Sequence, residues 1–266
     1  MPYLVITRPL GQTMKLGEML RTHLPQIDQI HLPLLSIIPN IDPVEAKRLR
    51  ELLAIADLAI FVSPNAIECA MRLLDQAWPK NVPVGVVGGG SLEVLGRHGV
   101  TLAEGYQVIA PGDPDRWDSE GLWDELGKTG INWSGKNILF LKGIGGRPWL
   151  GEQFLHAGAK IHSIQTYRRV PLDKEAAAWK PLQNVEPREA ACLMTSSEGL
   201  RHFAQVIQSF SWGRIWFEFA TIICSHPRIS DVALELGFKQ VENCLPGDDN
   251  LVKASSKWFS ELQSLS

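Results

Sequence analysis

The feature that most constrains this chain is a pattern of strands and helices that comes round twice. LVITRP at 4–9 resembles ILFLKG at 138–143. FVSPNAIECAMRLL at 61–74 resembles LMTSSEGLRHFAQVI at 193–207, and VGVVGGGSLEVLGRHGV at 84–100 resembles TIICSHPRISDVALELGF at 221–238. The members of each pair stand about 130 to 140 residues apart, and a near-constant offset over three elements is the mark of an internal duplication. Within each round, short apolar runs alternate with segments of helical period. LVIT, LAIFVS (58–63), VPVGVVG (82–88), CLMTS (192–196) and TIICS (221–225) have strand length, and Ile27 to Leu34 and IHSIQTYRRV (161–170) are further extended candidates. Helices are expected over Gly11 to His23, up to Leu74, up to His98, over 147–157, up to Ile207 and up to Leu236. Strands that alternate with helices pair in parallel, so the expected fold class is α/β, with a parallel sheet flanked by helices in each of two lobes.

Two proline-bearing stretches interrupt the pattern. Ser36 to Pro43 and Arg169 to Asp173 lack a helical period and read as irregular linkers, one strand-helix-strand unit into each repeat. That placement implies that the repeats exchange their first units. One lobe is then continuous, 40–168, and the other is discontinuous, 1–36 plus 172–266, with 37–39 and 169–171 as linkers. Two consecutive lobes also satisfy the pattern. Tyr106 to Gly135, rich in Gly, Asp and Trp, reads as an irregular surface excursion with one short helix. A length of 266 residues suits two lobes of about 130.

Composition excludes several classes of function. Net charge is −3, which leaves no overall basic field for nucleic acid. The apolar runs are too short to span a bilayer, and no secretory signal opens the chain. Cys69, Cys192, Cys224 and Cys244 form no C-x-x-C pair, and no histidine sits at metal-finger spacing. They read as buried free thiols in a reducing cytoplasm, with no metal and no cofactor.

The chemistry collects where strands end and helices begin. Ser63-Pro64-Asn65, Gly88-Gly89-Gly90-Ser91, Thr195-Ser196-Ser197-Glu198 and Ser225-His226-Pro227 each present cap residues, and the third is a candidate capping box. Taken singly, each is a helix cap. Together they lie at the carboxyl ends of parallel strands, where open α/β sheets hold ligands and helix N-termini favour anions. Arg8, Lys142, Arg147, Arg168, Arg169 and Arg228 stand near the same ends, either as carboxylate grips or as solvated charges. GGGS lacks a P-loop lysine, and Gly143 to Arg147 lacks dinucleotide spacing. No Ser-His-Asp order, carboxylate pair or thiol dyad is visible. His226 reads as a cap before a proton donor. Tyr167, in the second linker, either faces a cleft as a donor or packs there.

Seven segments resemble the uroporphyrinogen-III synthase family in order and spacing. They are ITRP (6–9), FVSPNAI (61–67), VVGGGSLEVL (86–95), LFLKGIGGRPWL (139–150), GAKIHSIQTYRRV (158–170), MTSSEGL (194–200) and SHPRISDVALELGF (225–238). This chain departs from the family by carrying Lys142-Gly143 for Arg-Gly and Gly88-Gly89-Gly90-Ser91 for Gly-Pro-x-Thr, and segment 106–135 has no counterpart motif. The resemblance implies two α/β lobes joined by a two-stranded linker. It implies a cyclising hydro-lyase of haem biosynthesis whose substrate is hydroxymethylbilane, a linear tetrapyrrole with eight carboxylates. Water is lost, the last pyrrole ring is inverted through a spiro intermediate, and uroporphyrinogen III is formed. On that expectation Ser63, Asn65, Gly88, Gly143, Ser91, Thr195, Ser196, Ser197 and Ser225 line a cleft. Arg8, Lys142 and Arg147 supply positive field, and Tyr167 donates to the leaving hydroxyl. The enzyme is expected to be a cytoplasmic monomer with no cofactor, with room for a transient contact with the preceding pathway enzyme. The rival readings are a non-catalytic two-lobed binder of an anionic tetrapyrrole or other polycarboxylate, a degenerate relative serving as an interaction protein, and a nucleotide-dependent transferase.

Overall fold

In the computed structural model, which describes residues 1–113 and 116–264, the chain forms two compact units: Met1–Ser36 with Val170–Ser266, and Ile37–Arg169. The first unit holds β1 (Tyr3–Ile6), β2 (Asp28–His31), β9 (Ala190–Met194), β10 (Thr221–Cys224) and β11 (Gln240–Asn243). Their spatial order is β11-β10-β9-β1-β2, and every neighbouring pair is parallel. The second sheet contains β3 (Leu35–Pro39), β4 (Leu58–Phe61), β5 (Val84–Val86), β6 (Val108–Ile109), β7 (Asn137–Gly143) and β8 (Lys160–Pro171). Its order is β3-β8-β7-β4-β5-β6, parallel from β8 through β6. The run β6-β5-β4-β7-β8 repeats the run β11-β10-β9-β1-β2 strand for strand. In one sheet the last two strands come from the chain's beginning, and in the other from the start of the second repeat. The chain passes between the units within β3 and again within β8.

Parallel neighbours need crossover connections, and helices supply them. The first unit has α1 (Met14–His23), α7 (Ser197–Gln208), α8 (Arg214–Phe219), α9 (Pro227–Glu235) and α10 (Asp248–Ser264). The second has α2 (Pro43–Leu53), α3 (Pro64–Leu74), α4 (Gly89–Arg97), α5 (Ser119–Lys128) and α6 (Trp149–His156). Helices cover both faces of each sheet, so central strands are apolar throughout. Leu58, Ala59, Ile60 and Phe61 are all buried, as are all five residues of β9. On one face of the second sheet α3 buries Ile67, Ala70, Leu73 and Leu74; in the first unit α7 buries Leu200, Phe203, Ala204 and Ile207. Phe154 anchors the other face of the second sheet, edge-on to Trp123, Trp133 and Phe140.

Three expectations need correction. The stretch 106–135 is not a surface excursion: it supplies β6 and α5, and its Leu122, Leu126 and Trp133 are core residues. Its polar residues are shared between turns and α5, where Asp124 and Lys128 are exposed, while Leu122 and Leu126 stand one helical turn apart; Pro114 and Asp115 lie outside the described residues. Secondly, the proline-bearing stretches are not irregular, because Ser36 to Pro39 continue β3 and Arg169 to Pro171 complete β8. β3 is an edge strand, where a residue without N–H can stand beside solvent. Thirdly, Thr195-Ser196-Ser197-Glu198 is not a capping box. Ser196 is the cap, and the third helical position is Gly199, one residue beyond Glu198. Helices α2, α8 and α10 and strand β11 were not anticipated. The terminal α10 packs Leu251, Val252, Trp258 and Phe259 against the face of the first sheet that bears Leu4, Ile6 and Leu193.

Candidate active site

In the second unit, β4 ends two residues before Ser63, whose extended backbone lets it cap α3. Its Oγ accepts the Ala66 N–H at 3.2 Å, and Pro64 takes the first helical position, where no N–H is needed. β7 ends at Gly143, opposite Tyr167 on β8, after a register shift between Lys142 and Gly143. That irregularity turns the tyrosine back over the end of β7. The phenol oxygen lies 3.1 Å from Ser63 Oγ, and the residue is only 4% exposed. A Cβ at Gly143 would stand 2.7 Å from the ring. Tyr167, Ser63 and Gly143, three expected site residues from three separate segments, are thus one contact cluster.

Other expected residues in this unit are placed differently. Gly88 caps α4 through its backbone, and Asn65 is half-buried in the first turn of α3. Ser91 is fully buried, and its hydroxyl has no hydrogen-bond partner among the described residues. Trp117 packs its ring about the start of α4, with ring atoms 3.7 Å from where a Cβ on Gly89 would lie. Lys142 is half-buried, and its carbonyl accepts the Thr166 hydroxyl. Arg147 is not a bare cation. It pairs with Glu120 and lies over the Trp149 ring. Burial works to raise the Glu120 carboxyl, but the Arg147 hydrogen bond and charge outweigh it and hold it below the usual carboxylate range.

The first unit repeats the cap. Ser196 Oγ accepts the Gly199 N–H at 3.2 Å, Thr195 is half-buried beside it, and the Ser197 hydroxyl is buried with no hydrogen-bond partner among the described residues. Ser225 is buried at the end of β10. His226 caps α9, its Nδ1 accepting the Arg228 N–H at 3.1 Å, which leaves that nitrogen without a proton. Arg8 pairs with Asp248 at the start of α10. Thr7, which the sequence reading passed over, is buried and donates to the Leu193 carbonyl at 2.6 Å. Glu120 and Asp248 were also missed. Each lies in the first turn of a helix, a common place for an acid, so nothing local marked them as partners of an arginine.

None of the cysteines is a poised nucleophile. All are free, and burial raises the thiols of Cys69, Cys192, Cys224 and Cys244, that of Cys224 to about 11. Among the described residues no three His, Cys, Asp or Glu side chains gather as metal ligands, and no helix is long and apolar enough to cross a membrane. What remains is a set of hydroxyls and helix N-termini at strand ends, with one buried phenol among them.

The sequence matches the family described as Uroporphyrinogen-III synthase HemD over residues 26–253. The chain belongs to the uroporphyrinogen-III synthase family. A curated relative, the uroporphyrinogen-III synthase of Escherichia coli (strain K12), is 26% identical over 251 residues, covering 90% of this chain and 93% of the relative. Among solved structures, a mutant uroporphyrinogen III synthase from the extremely thermophilic bacterium Thermus thermophilus superposes with a TM-score of 0.63 at 11% identity, covering 98% of this chain and all of the other. The uroporphyrinogen-III synthetase of Helicobacter pylori 26695 does so with a TM-score of 0.60 at 13% identity, covering 97% and 99%. At such identities these two speak for the fold. The family is one of cyclising lyases of porphyrin biosynthesis, and this chain is an enzyme of that class.

Proposed function

We propose that this enzyme converts hydroxymethylbilane to uroporphyrinogen III, losing water and inverting the last pyrrole ring through a spiro intermediate. Family membership carries the reading, and the geometry supplies chemistry that suits it. The substrate is already reactive, so no strong nucleophile is needed. The enzyme must hold one conformer of a polycarboxylate and disfavour closure without inversion. A tenfold preference between isomers needs only about 1.4 kcal/mol of barrier difference.

Tyr167 acts on the leaving group. The hydroxymethyl C–O bond breaks, and its electron pair and the phenol proton depart with the oxygen as water. The pyrrole N–H then returns a proton to the phenolate, leaving a neutral azafulvene. The substituted carbon of the last ring attacks that electrophile, whose nitrogen regains a proton; the spiro intermediate fragments by breaking the bond to the third ring, leaving an azafulvene there, and the last ring recloses turned over through its free α-carbon, which gives up its proton. Asn65, Gly88 and Ser91 on one unit, and Thr195, Ser196, Ser197 and Ser225 on the other, receive substrate carboxylates through hydroxyl or backbone N–H groups. Lys142 adds positive potential, while Arg147 and Arg8, each paired with a carboxylate, add less. Segments 1–36 with 172–266, and 40–168, serve as the two lobes, with 37–39 and 169–171 linking them. The reading includes a cytoplasmic monomer that uses no cofactor and meets the preceding pathway enzyme only transiently.

The deciding experiment mixes purified protein with freshly generated hydroxymethylbilane, oxidises the product, and separates type I from type III uroporphyrin. A protein-dependent excess of type III supports the synthase reading. Type I alone, at the rate seen without protein, removes it.

A further inference from the structure

We infer that Ser63 and Gly143 act as positioning residues for Tyr167, with Ser63 directing the phenol proton outward and Gly143 seating the ring. This rests on the proposed role of Tyr167 and departs from the expectation that Ser63 and Gly143 bind substrate. A serine hydroxyl has one proton and two lone pairs. The Ala66 N–H donates to Ser63 Oγ, so one lone pair is occupied by a donor at the positive end of α3. An oxygen that accepts from such a donor is polarised towards giving up its own hydrogen bond, and hydrogen bonds in series strengthen one another. The neighbouring acceptor is the phenol oxygen, 3.1 Å away. The contact geometry allows either oxygen to donate, and the inferred order is Ala66 N–H to Ser63 O–H to Tyr167 O–H, which leaves the phenol proton for an acceptor outside the cluster. If the phenol donated to Ser63 instead, its proton would be held internally. The same serine then holds the phenolate that forms when water leaves.

Gly143 acts by space alone. It is not among the residues with positive φ, so its backbone does not demand glycine. A Cβ there, however, would meet Tyr167 ring carbons at 2.7 and 2.8 Å and the hydroxyl at 3.1 Å. With the ring buried, any side chain at 143 moves the phenol away from Ser63.

The test is a double-mutant cycle read as kcat, KM and type III fraction, with melting curves to confirm folding. Y167F should lower kcat by at least about tenfold. S63A should lower kcat by about five- to tenfold with KM within about twofold, and S63T, which keeps the hydroxyl, should restore most of it. S63A/Y167F should be no slower than Y167F alone, and G143A should slow the wild type but not a Y167A variant. If Y167F is as fast as wild type, the parent reading falls and this inference with it. If Y167F is slow but S63A multiplies its defect, or S63A raises KM at unchanged kcat, the positioning role of Ser63 is overturned while that of Tyr167 stands. A G143A enzyme with full kcat overturns the seating role of Gly143.

Discussion

The two units are the same sheet built twice, and they differ where the chemistry is proposed. Both open the central pair with an acid just before the strand. Asp57 precedes β4 and holds Lys136 Nζ and the Asn137 N–H, each at 2.8 Å, whereas Glu189 precedes β9 and holds the Met1 ammonium. Both cap the helix after that strand with a serine, Ser63 or Ser196. Both carry an arginine after the neighbouring strand that is paired with an acid in the first turn of a helix, Arg147 with Glu120 and Arg8 with Asp248. Beside the capped helix, however, one unit has the phenol of Tyr167 on Gly143, and the other has Leu34 against the first turn of α7. Leu34 is 1% exposed and has no polar group to aim. A duplicated scaffold thus keeps its clamps and caps, because the sheet needs them twice. At the position beside that helix, one copy bears a phenol and the other an aliphatic side chain.

The likeness and the difference can each be broken by measurement. The largest expected effects test the likeness. Phe154→Ala and Phe203→Ala each remove a fully buried ring from one unit, and each should cost about 3–5 kcal/mol in urea unfolding. A small cost for either would mean that its unit is held differently from its partner. Next come the glycines. Gly143→Ala should destabilise by about 1–3 kcal/mol through overpacking. Gly199→Ala meets only ordinary contacts at 3.7 Å inside a helix, and should be neutral or stabilising by up to about 1 kcal/mol. Equal costs would erase the proposed asymmetry.

The two caps should cost the same in stability, about 1 kcal/mol for Ser63→Ala or Ser196→Ala. They should separate in steady-state kinetics, the first lowering kcat and the second raising KM. The smallest effects lie at the acid clamps. Lys136 first, then the Asn137 N–H, holds the Asp57 carboxyl below its ordinary value of 3.8. A depressed folded-state value contributes stability above the unfolded value and loses it as pH falls through the folded one. Asp57→Asn should therefore melt slightly below wild type at neutral pH, by less than about 1 kcal/mol, and the gap should close in acid. Glu189→Gln, whose partner is an exposed terminus, should change the melting temperature even less.

Much of this was legible in the chain itself. The repeat fixed which strands and helices correspond, and strand-length apolar runs such as LAIF and CLM read correctly because both faces of a parallel sheet are covered. Ser63, Gly88 and His226 could be named as caps because capping is a local matter of side-chain length and backbone turn. Segment 106–135 misled because its apolar residues, Leu122, Leu126 and Trp133, are diluted by Gly and Asp both in its turns and within α5.

The sequence by itself determined the fold class, the duplication and the list of small polar residues at strand ends, since these depend on periodicity and nearest neighbours. Only the tertiary structure decided what those residues touch. Tyr167 meets Ser63 across 104 positions and Arg8 meets Asp248 across 240, and such pairs are set by strand order and a register shift, which leave no local trace.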